Sequence, residues 1–184
     1  MKVLTYENYE VTIAPEALQL TVFREIWERD KTKDKHIARM ELSYIFFMED
    51  VRSDYLVITD LKKRSENICK DMGFPPKWKA DAKVKDAMEF YRSKQPVQAK
   101  WLESERIYID KLEQTMRILD PSRVDEGGRL VNPLNQTTEL ITRLNKAILD
   151  YTNTEKAVFS DLQKEDKIRG ADGKNIFENL DNVI

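Results

Sequence analysis

The sequence predicts an all-α fold, an elongated multi-helix bundle with extended N- and C-terminal arms. Large apolar side chains recur every three or four residues over most of the 184 positions, the spacing of one helix face. Only five glycines and six prolines interrupt the chain, so we expect long regular elements. Hydrophobic residues make up 41% of the chain, which is enough to form a core. Charged residues make up 35%, which is more than we expect of a membrane protein.

The chain divides into three predicted segments, an N-terminal arm, a helical body and a C-terminal arm: residues 1–14, 15–167 and 168–184. Residues 3–13 mix β-branched and aromatic side chains, and no second strand pattern exists to pair with them. This indicates an extended arm or a lone strand. Helical periodicity stops after Lys167, and Gly170 and Gly173 predict a flexible joint before the last apolar residues.

The sequence pattern predicts two helices in the first part of the helical body. Pro15 suits a first helical turn, and apolar residues then recur at helical spacing up to Asp30. Asp34 is expected to cap the second helix. That helix is apolar around much of its girth, which is typical of a central or interfacial element. Its apolar residues are Ile37, Met40, Leu42, Tyr44, Ile45, Phe46, Phe47 and Met48.

Four more helices are predicted to begin at capping or proline residues: Asp60, Asp81, Pro96 and Pro133. The first should stop at Gly73, just before a tandem proline pair that cannot continue a helix. The helix from Pro96 has the clearest periodicity, over about 24 residues. A polar loop that contains Gly127 and Gly128 separates it from the last helix.

Charge is unevenly distributed along the chain. Residues 62–100 carry 11 basic and five acidic side chains, whereas residues 101–184 carry 12 basic and 16 acidic ones. A basic middle and an acidic end suit head-to-tail contact between copies. The same pattern also fits helices that simply solvate their outer faces.

No motif predicts catalysis, a metal site or a cofactor. A single histidine, His36, and a single cysteine, Cys69, leave no cysteine–histidine or multi-cysteine zinc pattern. His36 fits an exposed or capping residue, and Cys69 fits a small packed thiol. The 33 acidic residues offer many possible carboxylate pairs, and their number alone does not point to a reaction.

Nucleic-acid binding is the rival interpretation. Eight basic residues from Lys62 to Lys85 lie near the aromatic residues Trp78 and Tyr91, a pattern found in DNA-binding surfaces. The slight net negative charge of the chain, −2, argues against a phosphate-binding protein. The aromatic stripe at Tyr44, Phe46 and Phe47 fits either an ordinary core or a contact between subunits.

Several phrases of the sequence resemble small helical virion proteins of tailed bacteriophages, in particular the short-tailed crAss-like phages of Bacteroidetes hosts. The phrases lie at residues 29–35, 44–48, 52–55, 73–78 and 168–170, with a further match at 84–87. The chain departs from the pattern at Asp54, where a proline is typical, and at Ala171 and Asp172, which replace further glycines.

The resemblance implies a non-enzymatic neck, ring or connector protein that is made in the host cytoplasm and located in the virion. Its partners would be copies of itself in a ring, twelve if bound to a portal, and other portal, neck or tail proteins. DNA passing through the channel is a further possible partner, and a membrane is not. The alternative is a DNA-binding or DNA-packaging helical protein of a phage.

Nine residues are the predicted subunit-interface residues: Tyr44, Phe46, Phe47, Arg52, Tyr55, Trp78, Ile176, Phe177 and Leu180. The last three belong to the C-terminal arm, whose apolar side chains are too few to form a core of their own. We expect this arm to reach a basic patch on a neighbouring copy, and folding back onto its own body is the alternative.

Overall fold

The structure is a computed structural model that describes residues 3–7, 10–119, 122–131 and 134–178. Over these residues the fold is mostly helical, with six α-helices and a two-stranded sheet, which confirms the all-α class. The strands are β1, Leu4–Glu7, and β2, Glu10–Ile13. The helices are α1, Thr21–Arg29; α2, His36–Glu49; α3, Leu61–Asp71; α4, Ala82–Lys94; α5, Val97–Ile118; and α6, Leu134–Glu178.

The chain divides into two compact units, Met1–Glu103 and Ser104–Ile184. The first contains the strands, α1 to α4 and the start of α5, and the second contains the rest of α5 together with α6. The boundary falls inside α5, where helical periodicity continues without interruption. The sequence therefore gives no sign of it, and the predicted body of residues 15–167 spans both units.

The N-terminal segment is a β-hairpin that packs against α2. The two strands pair antiparallel, with Leu4 opposite Ile13, and both contact α2. Val3 and Leu4 are buried in the core. The prediction of a lone strand or an extended arm is therefore wrong, because the segment forms a paired hairpin. Each strand has only four residues, and the residues between them are not the Asn-Gly type that marks a hairpin in a sequence.

The start of α2 is capped by an acid from an unexpected position. Asp34, the predicted cap, is exposed, and Lys35 before the helix is left-handed with φ 56° and no side-chain cap. The Asp30 carboxylate instead accepts hydrogen bonds from the Ala38 amide at 2.9 Å and from the Thr32 amide and hydroxyl at 2.8 and 2.7 Å. The cap is therefore Asp30.

Helix α2 is the centre of the first unit. It contacts α1, α3, α4 and both strands, and eight of its 14 residues are buried. The sequence predicted a helix that is either central or interfacial, and within the first unit it is central. The buried residues are Ala38, Glu41, Leu42, Tyr44, Ile45, Phe46, Met48 and Glu49.

Local signals place α3 and α4 as predicted. The Asp60 carboxylate caps α3 by accepting hydrogen bonds from the amides of Lys62 and Lys63, at 2.9 and 3.1 Å. Gly73 follows the end of α3 with φ +72°, a conformation that glycine adopts without strain. The Asp81 carboxylate caps α4 through the Val84 amide at 3.0 Å.

The second unit is built from the end of α5 and from α6. Arg106 of α5 donates to the Tyr151 hydroxyl of α6 at 2.7 Å and pairs with Glu155 at 3.7 Å. Helix α6 runs through Gly170 and Gly173 to Glu178, so the prediction that the helix ends after Lys167 is wrong. A glycine inside a helix costs about 1 kcal/mol relative to alanine, which a helix of this length can absorb.

The three predicted interface residues of the C-terminal segment lie at or beyond the end of α6. Ile176 and Phe177 lie on the last turn of α6, and their side chains are outside the described part of the chain. Leu180 belongs to residues 179–184, which also lie outside the described residues. Their role in a subunit contact stays a prediction.

The Asp30 cap gives a pH-dependent prediction. Burial alone would raise the pKa of the Asp30 carboxyl, but hydrogen bonds from Ala38 and Thr32 outweigh it and lower that pKa from 3.8 to about 2. Asp30→Asn should therefore lower the melting temperature near pH 7. Because the native carboxylate has the lower pKa, its contribution is present above about pH 4 and is lost towards pH 2. The difference between the variant and the natural protein should shrink over that interval.

Thermal melts followed by circular dichroism between pH 2 and pH 7 would measure this effect. Asp34→Asn is the matched control, since it removes a neighbouring exposed carboxylate and should leave the melting temperature nearly unchanged. An equal loss of stability in both variants would contradict the assignment of the cap to Asp30.

Candidate interaction surfaces

Two of the predicted interface residues belong to the core of their own unit. Tyr44 and Phe46 on α2 are buried. The Phe46 ring contacts those of Tyr6 and Phe47 at centroid distances of 5.7 and 5.6 Å, and Tyr44 packs against Phe74 at 6.0 Å. Assigning Tyr44 and Phe46 to a subunit contact is therefore corrected, because the first unit itself already covers both rings.

Phe47 and Tyr55 are only half-buried. Their rings meet edge to face at a centroid distance of 5.3 Å, and the Tyr55 hydroxyl donates to the Asp71 carboxylate at 2.9 Å. Burial, followed by the hydrogen bond to Asp71, raises the pKa of Tyr55 to about 12. Both side chains retain exposed surface, and their part in a subunit contact stays a prediction.

Arg52 holds a buried carboxylate and the N-terminal hairpin together. Asp50 is only 2% exposed, and the Arg52 guanidinium donates to both of its oxygens at 2.7 Å. The same guanidinium donates to the Leu4 carbonyl of β1 at 3.0 Å. The Tyr91 hydroxyl also donates to Asp50, and burial together with this carboxylate raises the pKa of Tyr91. The contacts of Arg52 are thus internal ones, which link β1 to the end of α2.

Two cations in the basic middle of the sequence already have partners within the chain. Arg64 is 1% exposed, donates to the Met48 carbonyl at 3.1 Å and pairs with Glu103 at 3.2 Å. Lys83 pairs with Glu25 at 3.1 Å. Neither side chain is available as an unpaired cation for phosphate, and the aromatic Tyr91 of the same pattern is buried.

A groove of about 690 Å³ lies between α3 and the segment that follows it. We call it the α3 groove. Its floor is largely apolar and consists of Ser65, Cys69, Phe74, Pro75, Pro76 and Trp78. Its rim is cationic and consists of Lys62, Lys70 and Lys79, with Glu66 as its one acid. Trp78, a predicted interface residue, is therefore part of a concave surface.

The rim lysines are exposed and available for a partner. Lys62, Lys70 and Lys79 are exposed, and none of them forms an ion pair with another described residue. Lys62, Glu66 and Lys70 are four residues apart along α3, so they lie on one helix face. The α3 groove thus combines an apolar floor with cations that form no ion pair among the described residues.

The residues considered for chemistry lie apart from one another. Within the described residues, no group of three His, Cys, Asp or Glu side chains could hold a metal ion. His36 is exposed at the first residue of α2, as expected. Cys69 lies partly buried at the floor of the α3 groove, and burial raises the pKa of its thiol, which disfavours the reactive thiolate.

The second unit carries an exposed apolar stripe on α6. Ile141, Ile148 and Phe159 are 41%, 43% and 37% exposed. They are seven and eleven residues apart, close to two and three helical turns, so they lie on one side of the helix. We call these residues the α6 stripe. The seven-residue spacing of Ile141 and Ile148 in the sequence is typical of one helix face, but such spacing does not show whether that face is covered.

Comparisons with protein-family models, with curated proteins and with solved structures found no match. The interpretation of this chain therefore depends on its own residues. Among the helices of the described residues, none has the length and apolar character needed to cross a membrane.

The Arg52 network generates a stability prediction. Arg52→Ala leaves Asp50 buried without its counter-charge, and breaking a buried pair in this way costs about 3–5 kcal/mol. We expect a loss of this size in the free energy of unfolding, measured by urea denaturation. Because Arg52 also binds the Leu4 carbonyl, amide hydrogens of β1 and β2 should exchange faster in the variant.

Arg143→Ala is the control for this experiment. Arg143 pairs with Glu139 on α6, but both side chains are 61% exposed, so the loss should stay below about 0.5 kcal/mol. If the two alanine variants unfold at the same urea concentration, Arg52 does not stabilise the first unit as described.

Proposed function

We propose that this chain is a structural subunit that works by contacts between copies, and that it is not an enzyme. The observation that carries the proposal is the α6 stripe, three large apolar side chains that stay 37–43% exposed in the second unit. Fully burying an exposed side chain of this size contributes about 1.5–3 kcal/mol, and each of these three has more than a third of its surface left to bury. Contact with another copy would supply that burial.

The small core of the second unit supports the same conclusion. From Ser104 onward, the described hydrophobic side chains that are buried are Leu112, Ala147 and Val158. Two helices with so few buried side chains gain little stability by themselves. Association through the exposed stripe would enlarge this core.

The assembly that we propose is a ring in the neck of a tailed bacteriophage, which joins a capsid vertex to a tail. The support is the sequence resemblance to small helical virion proteins, together with an all-α fold that carries unpartnered apolar surface. Repetition of one contact around an axis generates a closed ring, with twelve copies if the ring sits on a portal. Portal, neck or tail proteins would be its neighbours, and the virion its location.

One departure from the resemblance is compatible with the local backbone. Asp54 replaces a typical proline and is the first residue of a short 3-10 turn, Asp54–Val57. The first position of a helical turn accepts proline, since its amide has no partner within the turn. In this chain the turn is capped by Ser53, which accepts a hydrogen bond from the Tyr55 amide at 3.2 Å.

The contact through α6 can be tested by substitution. Ile148→Glu combined with Phe159→Glu places two charges in the α6 stripe and should convert oligomers of the natural protein into monomers. The charges would have to be buried without partners, which costs several kcal/mol. Light scattering coupled to size-exclusion chromatography measures the mass, and negative-stain imaging shows whether rings form.

The control adds the same charge elsewhere on α6. Asn153→Glu combined with Ser160→Glu changes two exposed polar residues that lie well away from the stripe around the helix axis. This variant should keep the oligomer. A natural protein that stays monomeric at every concentration would contradict the proposed function.

A further inference from the structure

The α3 groove has the surface chemistry of a peptide-binding site. Its rim lysines and Glu66 give the lining a net charge of +2, above a floor of aromatic, proline and cysteine side chains. An occupant must therefore offer both carboxylates and large apolar side chains. Grooves that bind protein segments combine these two features, the apolar contacts giving affinity and the charges giving register.

The aromatic rings of the floor favour a peptide over a nucleic acid. Trp78 packs against Phe74 at a centroid distance of 4.1 Å and meets Tyr44 edge to face at 4.9 Å. The indole is thus held against two other rings in the floor of the groove. Nucleobases bind by stacking on an open aromatic face, and Phe74 already packs against one face of this indole.

The spacing of the cations limits the occupant further. Lys62 and Lys70 are eight residues apart on α3, so their backbones are about 12 Å apart along the helix axis. Their long side chains can converge on carboxylates that lie closer together than this. The occupant should carry two acids a few residues apart, with apolar residues beside them.

Residues 176–181 of the chain itself have this composition. Two acids, Glu178 and Asp181, alternate with the apolar residues Ile176, Phe177 and Leu180. The two acids are three residues apart in the sequence, so their backbones are at most about 10 Å apart whatever conformation the segment has. This distance is within the reach of the rim lysines.

We propose that the α3 groove binds residues 176–181 of a second copy of this chain. The inference rests on the proposed function, since it identifies one contact by which copies would assemble. The carboxylates of Glu178 and Asp181 would pair with the rim lysines, and Phe177 would cover the floor at Trp78. A groove on one copy and a segment on the next form a head-to-tail contact, which is the kind that can close into a ring.

Peptide binding to the full chain tests the proposal. The receptor is the full-length protein with Glu178→Gln and Asp181→Asn, so that its own segment competes weakly. The probe is a fluorescent peptide with the sequence of residues 174–184, and anisotropy measures binding. Saturable binding is expected, and a peptide with the same two neutralising changes or with Phe177→Ser should bind at least about tenfold more weakly.

Charge reversal locates the site on the receptor. Lys62→Glu combined with Lys70→Glu should weaken binding at least about tenfold. Lys33→Glu combined with Lys85→Glu changes two exposed lysines outside the groove by the same charge and should leave binding unchanged. All four substituted positions are exposed, and circular dichroism would verify that each variant stays folded.

Three results would overturn the proposal. They are the absence of binding up to about 1 mM peptide, equal binding by the neutral peptide, and unchanged binding after the groove lysines are reversed. A single-stranded oligonucleotide that displaces the peptide and depends on Lys62 and Lys70 would assign the groove to nucleic acid instead.

The proposed function can fail separately from this inference. If the natural protein forms oligomers but the peptide does not bind, the groove assignment is wrong and the assembly role stands. If the peptide binds but the natural protein stays monomeric, the assembly role is wrong and the groove remains a peptide site.

Discussion

The first unit depends on the burial of α2. A helix that is apolar around most of its girth needs cover on every side, and the hairpin, α1, α3 and α4 supply it. Two of its buried residues are acids, so the cover must also provide positive charge. Arg29 of α1 pairs with Glu41 at 2.6 Å, and Arg92 of α4 pairs with Glu49 at 2.7 Å. Burial raises the pKa of Glu49 and the Arg92 pair opposes that rise, so α4 is held to α2 by charge as well as by packing.

Helix starts were predictable where the cap is local and wrong where it is not. Asp60 and Asp81 lie immediately before α3 and α4, and their carboxylates bind amides two or three residues ahead. Asp30 instead reaches the Ala38 amide, eight residues along the chain, across a loop in which Lys35 is left-handed. A sequence pattern does not encode that loop geometry, so the acid nearest the helix, Asp34, was the natural but wrong choice.

Interface residues were harder to predict than helices, because core and surface aromatics share one periodicity. The sequence spacing of Tyr44 and Phe46 is the same whether a partner subunit or the chain itself covers them. Only the positions of the hairpin and of Phe74 show that the chain itself covers both rings. Buried arginines are similarly hidden, since nothing in the run of basic residues marks Arg64 as internal. The α3 groove had a partial signal: tandem prolines between two aromatic residues, close to lysines at helical spacing.

The two units differ in how they bury their apolar residues, and this difference bears on assembly. The first unit packs most of its aromatic residues in or against one contiguous core, although Trp101 stays 64% exposed, and the α3 groove is one surface that it offers a partner. The second buries few side chains and exposes the α6 stripe. Under the proposed function, the stripe would contribute most of the association energy, because apolar burial is large and has no directional requirement. The groove would contribute specificity, because its lysines favour only segments with carboxylates at a suitable spacing. One contact would then set how tightly copies associate, and the other which segment of the neighbour is bound.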